Sequence, residues 1–106
     1  MDTGLTEADM NRIRAAIKHF PEIEEVVVFG SRAKGTHKKA SDVDLAIKGS
    51  AVSLETIQRL NFLLNEELPL PYFFDVVHYE ALENQQLLEH IDRVGKSITL
   101  FENQPT

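Results

Sequence analysis

The chain reads as an α/β (α+β) protein: a small mixed β-sheet of three or four strands with flanking helices, in the order α-β-α-β-α-β-α. Three observations predict this. Segments with apolar residues at helical spacing alternate with short β-branched runs, the mark of helices packed on a sheet. A full helical segment separates the second run from the third, so those two strands are parallel and, if adjacent, joined by a right-handed crossover. Only a short polar stretch separates the first run from the second, too little for a crossover helix, so that pair is antiparallel.

Each element has its own signal. Thr6 and Asp9 form a capping-box pattern, after which Met10, Ile13, Ile17 and Phe20 recur at helical spacing. The spacing predicts a helix over 7–19 that stops before Pro21. Residues 24–29 are rich in valine and end at Gly30, which predicts a buried strand. Residues 31–35 fit one helical turn with Ser31 as N-cap, and 36–41 a polar loop. From 42 to 48 the pattern alternates, with Val43, Leu45 and Ile47 facing the core and Asp42, Asp44, Ala46 and Lys48 opposite. Ser53 caps a helix over 54–67 whose stripe is Ile57, Leu60, Leu64 and Leu68. Pro69 and Pro71 lead into a third strand over 72–78. A last helix is expected over 80–94, with Leu82, Leu87, Leu88 and Ile91 inward and Gly95 as its C′ stop, followed by an extended tail over 97–101. No repeat, low-complexity tract or linker is visible, so 1–106 is read as a single domain.

Composition narrows the function classes. The chain has 42% hydrophobic and 26% charged residues, ordinary for a globular domain. It has no cysteine, which excludes disulfides, thiolate catalysis and cysteine-based zinc sites. The longest apolar run, Val26 to Phe29, is strand-sized, and the first residues lack the pattern of a signal peptide, so a cytoplasmic, non-membrane protein is expected. The formal net charge is −6, yet Arg32, Lys34, Lys38 and Lys39 fall within 30–41 with no acid among them. An acidic body argues against extended nucleic-acid binding, which needs a broad basic face. One basic loop suits a small polyanion such as a nucleoside triphosphate, although taken alone it is better explained as a solvated lysine-rich loop.

What decides between those readings is the company the loop keeps. Gly30-Ser31 closes the first strand, and Asp42-Val43-Asp44 opens the second. Residues at i and i+2 of a strand share a face, so Asp42 and Asp44 stand side by side. Adjacent carboxylates repel unless a cation lies between them, and Mg²⁺ with oxygen ligands is the usual one. Asp75 is the one acid within 71–78. By itself it is equally a strand residue with its head in water. With Asp42 and Asp44 it makes a three-carboxylate metal site, and the element order brings all three to one sheet edge. Two Mg²⁺ ions about 3.5–4 Å apart are the arrangement typical of such phosphoryl chemistry. Asp75 would then ligate the ion beside the attacking hydroxyl and help accept its proton. Gly30 lets the backbone approach phosphate oxygens, Ser31 offers a hydroxyl donor at a turn whose N–H groups favour an anion, and Arg32 and Lys34 add positive charge. Lys38 and Lys39 are more peripheral.

These motifs resemble the minimal nucleotidyltransferases of the DNA polymerase β-like superfamily. The likeness rests on Val27-Val28-Phe29-Gly30-Ser31, then Asp42-Val43-Asp44-Leu45, then Asp75, in that order, and runs from the first helix to about residue 101. It implies the nucleotidyltransferase fold, with Gly30 and Ser31 holding the triphosphate and Asp42, Asp44 and Asp75 carrying the metals. It also implies a role as the antitoxin beside a helical HEPN ribonuclease toxin, transferring AMP from ATP to a toxin tyrosine. A chain of 106 residues leaves no room for an acceptor-binding domain, so the acceptor is expected from another chain. Two alternatives stand beside this: a non-catalytic module that silences the toxin by covering it, and nucleotidyl transfer to a small molecule. A homodimer and a hetero-oligomer are both open.

Other features carry less. Gly95-Lys96-Ser97 imitates the end of a P-loop but lacks the glycine five residues earlier, where His90 stands. His19, His37, His78 and His90 have no paired metal spacing and are read as surface or helix-end residues, with a minor phosphate contact open to His37. Phe62, Tyr72, Phe73 and Phe74 are assigned to core or partner contacts, with stacking on the nucleobase open to one of them. Tyr72 and Tyr79 are assigned to packing.

Overall fold

The computed structural model describes residues 3–35 and 42–98. Four strands form one mixed sheet: β1 (Glu25–Phe29), β2 (Val43–Lys48), β3 (Phe74–His78) and β4 (Lys96–Ile98). Their spatial order is β3-β2-β1-β4. As expected, β1 pairs antiparallel with β2, and β2 pairs parallel with β3. The tail becomes a true strand, β4, antiparallel to β1; its expected continuation over 99–101 lies outside the described residues, as does the loop over 36–41.

Helices cover both faces. On one side, α1 (Glu7–Ile17), α3 (Leu54–Phe62) and the turn that follows it bury Ile13, Ile17, Leu60 and Leu64 against Val26, Val28, Val43, Leu45, Ile47, Phe74 and Val76. On the other, α4 (Gln85–Val94) seals a smaller cluster in which Ile91 meets Val27, Phe29 and Ala46. The alternation along β1 and β2 therefore divides between two apolar layers. Ala46, on the face away from the main core, is fully buried by α4. Among the described residues no helix is long and apolar enough to cross a membrane.

Local chemistry explains most boundaries. Thr6 and Asp9 close the expected capping box, with Thr6 N–H donating to Asp9 Oδ2 at 3.1 Å and Asp9 N–H to Thr6 Oγ1 at 3.0 Å. The helix over 54–67 keeps its span but not its winding: after Phe62 the chain widens into a π-helical turn, Leu63–Glu67, where Leu68 N–H reaches Leu63 O at 3.2 Å. The third strand starts later than expected, at Phe74. The last helix also starts later. Tyr79–Ala81 form a single 3₁₀ turn, and Asn84 caps α4 by accepting from Leu87 N–H at 3.1 Å. A local cap signal at Asn84 outweighs the apolar spacing that extended the helix back to 80. Gly95 stops α4 with φ −60°, extended rather than left-handed.

The short turn α2 (Ser31–Lys34) is as expected, but its N-cap is Gly30 and not Ser31. Gly30 has φ 74° and ψ −151°, a region that only glycine enters readily.

Candidate active site

The strand ends assemble the site. Phe29 on β1 stands opposite Asp44 on β2, and Asp44 stands opposite Asp75 on β3. These three residues form one row across the sheet, with neighbouring backbones about 4.7–4.9 Å apart. The row lies on the α4 face. Asp44 shares that side with Ala46, two residues on, and Asp75 with Val77, which packs in the α4 cluster. Asp42 lies just ahead of β2, exposed, and Asp75 is exposed as well, whereas Asp44 is half-buried.

Asp44 carries the electrostatic tension of this row. Burial, then the charge of Asp75, then that of Asp42 raise its carboxyl above the ordinary aspartate value of 3.8. Asp75 and Asp42 are thus near enough to oppose the ionisation of Asp44. The donor set, all carboxylate oxygen with no imidazole or thiolate, fits a hard cation such as Mg²⁺. Among the described residues no three histidine, aspartate or glutamate side chains are grouped so that they could hold a metal ion, so the expected three-carboxylate site is not assembled in this structure.

Gly30 meets Asp44 directly. A Cβ built on Gly30 falls deep inside contact distance of Asp44 Oδ2 and only 3.3 Å from its Cγ. Glycine is required here twice over, by the backbone angles and by the carboxylate against its α-carbon. Ser31 follows, half-buried at the start of α2, and Lys34 is exposed one turn on, with its N–H donating to Gly30 O at 3.2 Å. Gly35 ends the turn in the left-handed conformation.

Arg32 departs from the phosphate contact expected of it. It is 1% exposed, donates from Nη1 to Thr3 O at 2.7 Å, and stacks 4.7 Å above the Tyr72 ring. Tyr72 in turn donates to Asp9 Oδ2 at 2.8 Å. The guanidinium therefore ties α2 to the N-terminal segment and to the approach to β3, underneath the site. Tyr79 is likewise a packing residue, with its hydroxyl on Asp92 at 2.6 Å and Lys48 over its ring.

One residue was missed by the sequence reading. His90 of α4 accepts the Gly30 N–H on Nε2 at 3.1 Å, and its ring meets Phe29 edge-on. A signal existed: Leu87, His90, Ile91 and Val94 share one helix face, and a polar group on that face points at the sheet. The contact requires an unprotonated Nε2, hence the tautomer with its proton on Nδ1.

Residues 11–105 match the sequence model of the family described as "Polymerase beta, Nucleotidyltransferase". The chain belongs to this family. No curated protein matches it significantly. Among solved structures, this nucleotidyltransferase chain is similar to a chain of a toxin–antitoxin crystal structure with AMP-PNP, at 21% identity and TM-score 0.72, covering 89% of this chain and 75% of that one. It is also similar to a chain of the MntA–HepT toxin–antitoxin structure, at 18% identity and TM-score 0.66, with coverage of 89% and 72%. A third likeness is to a chain from the tri-AMPylated Shewanella oneidensis HEPN toxin in complex with its MNT antitoxin, at 18% identity and TM-score 0.67, with coverage of 88% and 71%. At these identities the likeness carries the nucleotidyltransferase fold: a four-stranded mixed sheet with flanking helices.

Proposed function

We propose that this nucleotidyltransferase transfers AMP from ATP to a hydroxyl of a protein partner, and that the partner is a HEPN-type toxin for which the chain is the antitoxin. The observation that carries the catalytic reading is the row Asp44–Asp75 with Gly30 pressed against Asp44. A carboxylate pair beside a turn without a Cβ supports a phosphate-binding role for that turn. The structures similar to this chain support the remainder. One contains a HEPN toxin that is itself AMPylated, and one contains an ATP analogue.

In the proposed reaction an acceptor hydroxyl oxygen bonds to the α-phosphorus, the bond from that phosphorus to the β-bridging oxygen breaks, and pyrophosphate leaves. Gly30 and Ser31 bind the triphosphate, and Lys34 adds charge at the exposed side of the turn. Arg32 acts from beneath, holding the turn in place. Asp42, Asp44 and Asp75 would hold Mg²⁺, whose bound charge neutralises phosphate oxygens and the departing pyrophosphate. Asp75, exposed on the edge strand, is the proposed group that takes up the hydroxyl proton.

The test combines the full chain, α-labelled ATP, Mg²⁺ and a candidate HEPN-type partner protein. Label on that partner, lost in the double variant Asp42→Asn/Asp44→Asn, is the expected result. Neutralisation of the partner without label, unaffected by the double variant, overturns the catalytic reading.

A further inference from the structure

The π-helical turn stands in no relation to the motifs that led to the site, yet it touches the strand that carries Asp75. Among the described residues strand β3 is an edge of the sheet, paired only with β2. The first residues of an edge strand present backbone groups that need partners and fray readily. At Phe74 both outward groups are satisfied by one side chain. Phe74 N–H donates to Asn65 Oδ1 at 2.7 Å, and Asn65 Nδ2 donates to Phe74 O at 2.9 Å. The same Nδ2 donates to Asn61 Oδ1 at 2.8 Å, one turn back on α3, which fixes the amide's orientation. The carboxamide thus reproduces one rung of a missing neighbouring strand. On the inner side, Val43 N–H donates to Phe73 O at 2.9 Å. The backbone is pinned from both edges immediately before Asp75.

The π turn delivers that side chain. Leu64 is fully buried among the core residues and Asn65 is its immediate neighbour. The widened turn lets Leu64 remain in the core while Asn65 reaches the edge of β3. Turns of this type recur at functional sites because they aim a side chain that regular winding would misplace. Asp75 needs such fixing. It stands opposite another carboxylate in the parallel register, and their repulsion works against the pairing. Phe74, locked in the core with no exposed surface, transmits the hold to the next residue.

We propose that Asn65, carried on the π-helical turn, is a positioning residue that holds Asp75 in register with Asp44 by clamping the backbone of Phe74. This inference rests on the nucleotidyl-transfer reading for its consequence and on the hydrogen bonds alone for its structure. The test uses the full chain and compares Asn65→Ala, Asn65→Asp and Asn61→Ala with Ile17→Ala, a core change on α1 that leaves the Asn65 hydrogen bonds intact. Three quantities are read: exchange of the Phe74 amide hydrogen, affinity for Mn²⁺ without nucleotide, and kcat and KM for transfer to the partner.

Asn65→Ala is expected to unprotect Phe74 and to lower Mn²⁺ affinity and kcat by about 10–100-fold, the usual effect of losing an outer-shell support. The nucleotide KM should stay within about threefold, because triphosphate contacts lie on the Gly30 turn. Asn65→Asp retains the acceptor for Phe74 N–H and should lose less protection than Asn65→Ala; Asn61→Ala, which leaves both bonds to Phe74, should lose least. If Asn65→Ala changes Mn²⁺ affinity and kcat no more than Ile17→Ala does, or if Phe74 stays protected, the proposal is overturned. Should the wild-type chain transfer no label, the nucleotidyl-transfer reading falls, and the exchange and Mn²⁺ measurements still decide the role of Asn65.

Discussion

Substituting Gly30 by alanine tests whether the turn is shaped for the carboxylate beside it. Two separate costs follow from the structure. The backbone angles, φ 74° and ψ −151°, lie where a side chain strains the chain by about 1–3 kcal/mol. The new methyl group also collides with Asp44 Oδ2, and overpacking of this kind costs a further ~1–3 kcal/mol. Together they reach roughly 2–6 kcal/mol, a large fraction of the about 5–15 kcal/mol that holds a domain folded. At about 4–8 °C per kcal/mol for a domain of this size, the melting temperature should fall by about eight degrees or more. Denaturant unfolding of Gly30→Ala, Asp44→Ala and the double variant separates the two terms. In the Asp44→Ala background the collision disappears and only the backbone cost remains, so the cycle should return a coupling of about 1–3 kcal/mol, the size of the removed clash. Costs that add within about 0.5 kcal/mol would refute the reasoning, since independent sites behave that way.

Replacing Asp44 by asparagine should stabilise the fold while abolishing transfer. Its carboxyl is raised above 3.8, so the wild type loses stability as pH rises from that value through the raised one. Urea midpoints measured across pH should show that loss in the wild type and not in Asp44→Asn, with a gain at neutral pH on the order of 0.2–1 kcal/mol for removing one of two opposed like charges. Arg32→Lys keeps the charge but not the fork, and should cost about 1.5–3 kcal/mol in thermal unfolding for the lost bond to Thr3 O. Its nucleotide KM should move less than that of Lys34→Ala; the reverse order would return Arg32 to the phosphates. His90→Phe preserves a ring against Phe29 but leaves the Gly30 N–H without its acceptor, which should cost about 1–3 kcal/mol and lower transfer, with His90→Gln recovering part of the loss.

What was legible in the sequence was whatever depends on local pattern. Alternation along β2 placed Asp44 away from the main core, and the length of each connection fixed which strands run parallel. Those two facts were enough to bring Asp44 and Asp75 to one edge. Three features depend on tertiary contacts, and of these only His90 left a trace in the sequence, on the helix face it shares with Leu87, Ile91 and Val94. Arg32 sits in a basic loop by sequence but in the core by structure, since Thr3 and Tyr72 arrive from distant segments to receive it. His90 belongs to a helix whose polar residues otherwise face outward, and its acceptor lies sixty residues away from Gly30. The π turn has no sequence signature of its own; it exists where Leu64 and Asn65 have to satisfy the core and the strand edge at once.

Those late-found residues share a logic that the motif residues do not. The row Phe29–Asp44–Asp75 crosses three strands, and each outer strand is steadied from an opposite face of the sheet. From the α4 side, His90 holds the backbone N–H of Gly30, the residue that follows Phe29. From the α3 side, Asn65 holds the backbone of Phe74, the residue that precedes Asp75. Neither contact touches a carboxylate. A site made of mutually repelling acids cannot be braced by its own side chains without cancelling the charge that a cation needs, so rigidity has to come through the main chain. Backbone clamps do this at no electrostatic cost to Asp44, whose raised carboxyl already records how little further burial or negative charge the row can bear. The two acids meet in register because the strands that carry them are held just outside the row, on residues with no charge to lose.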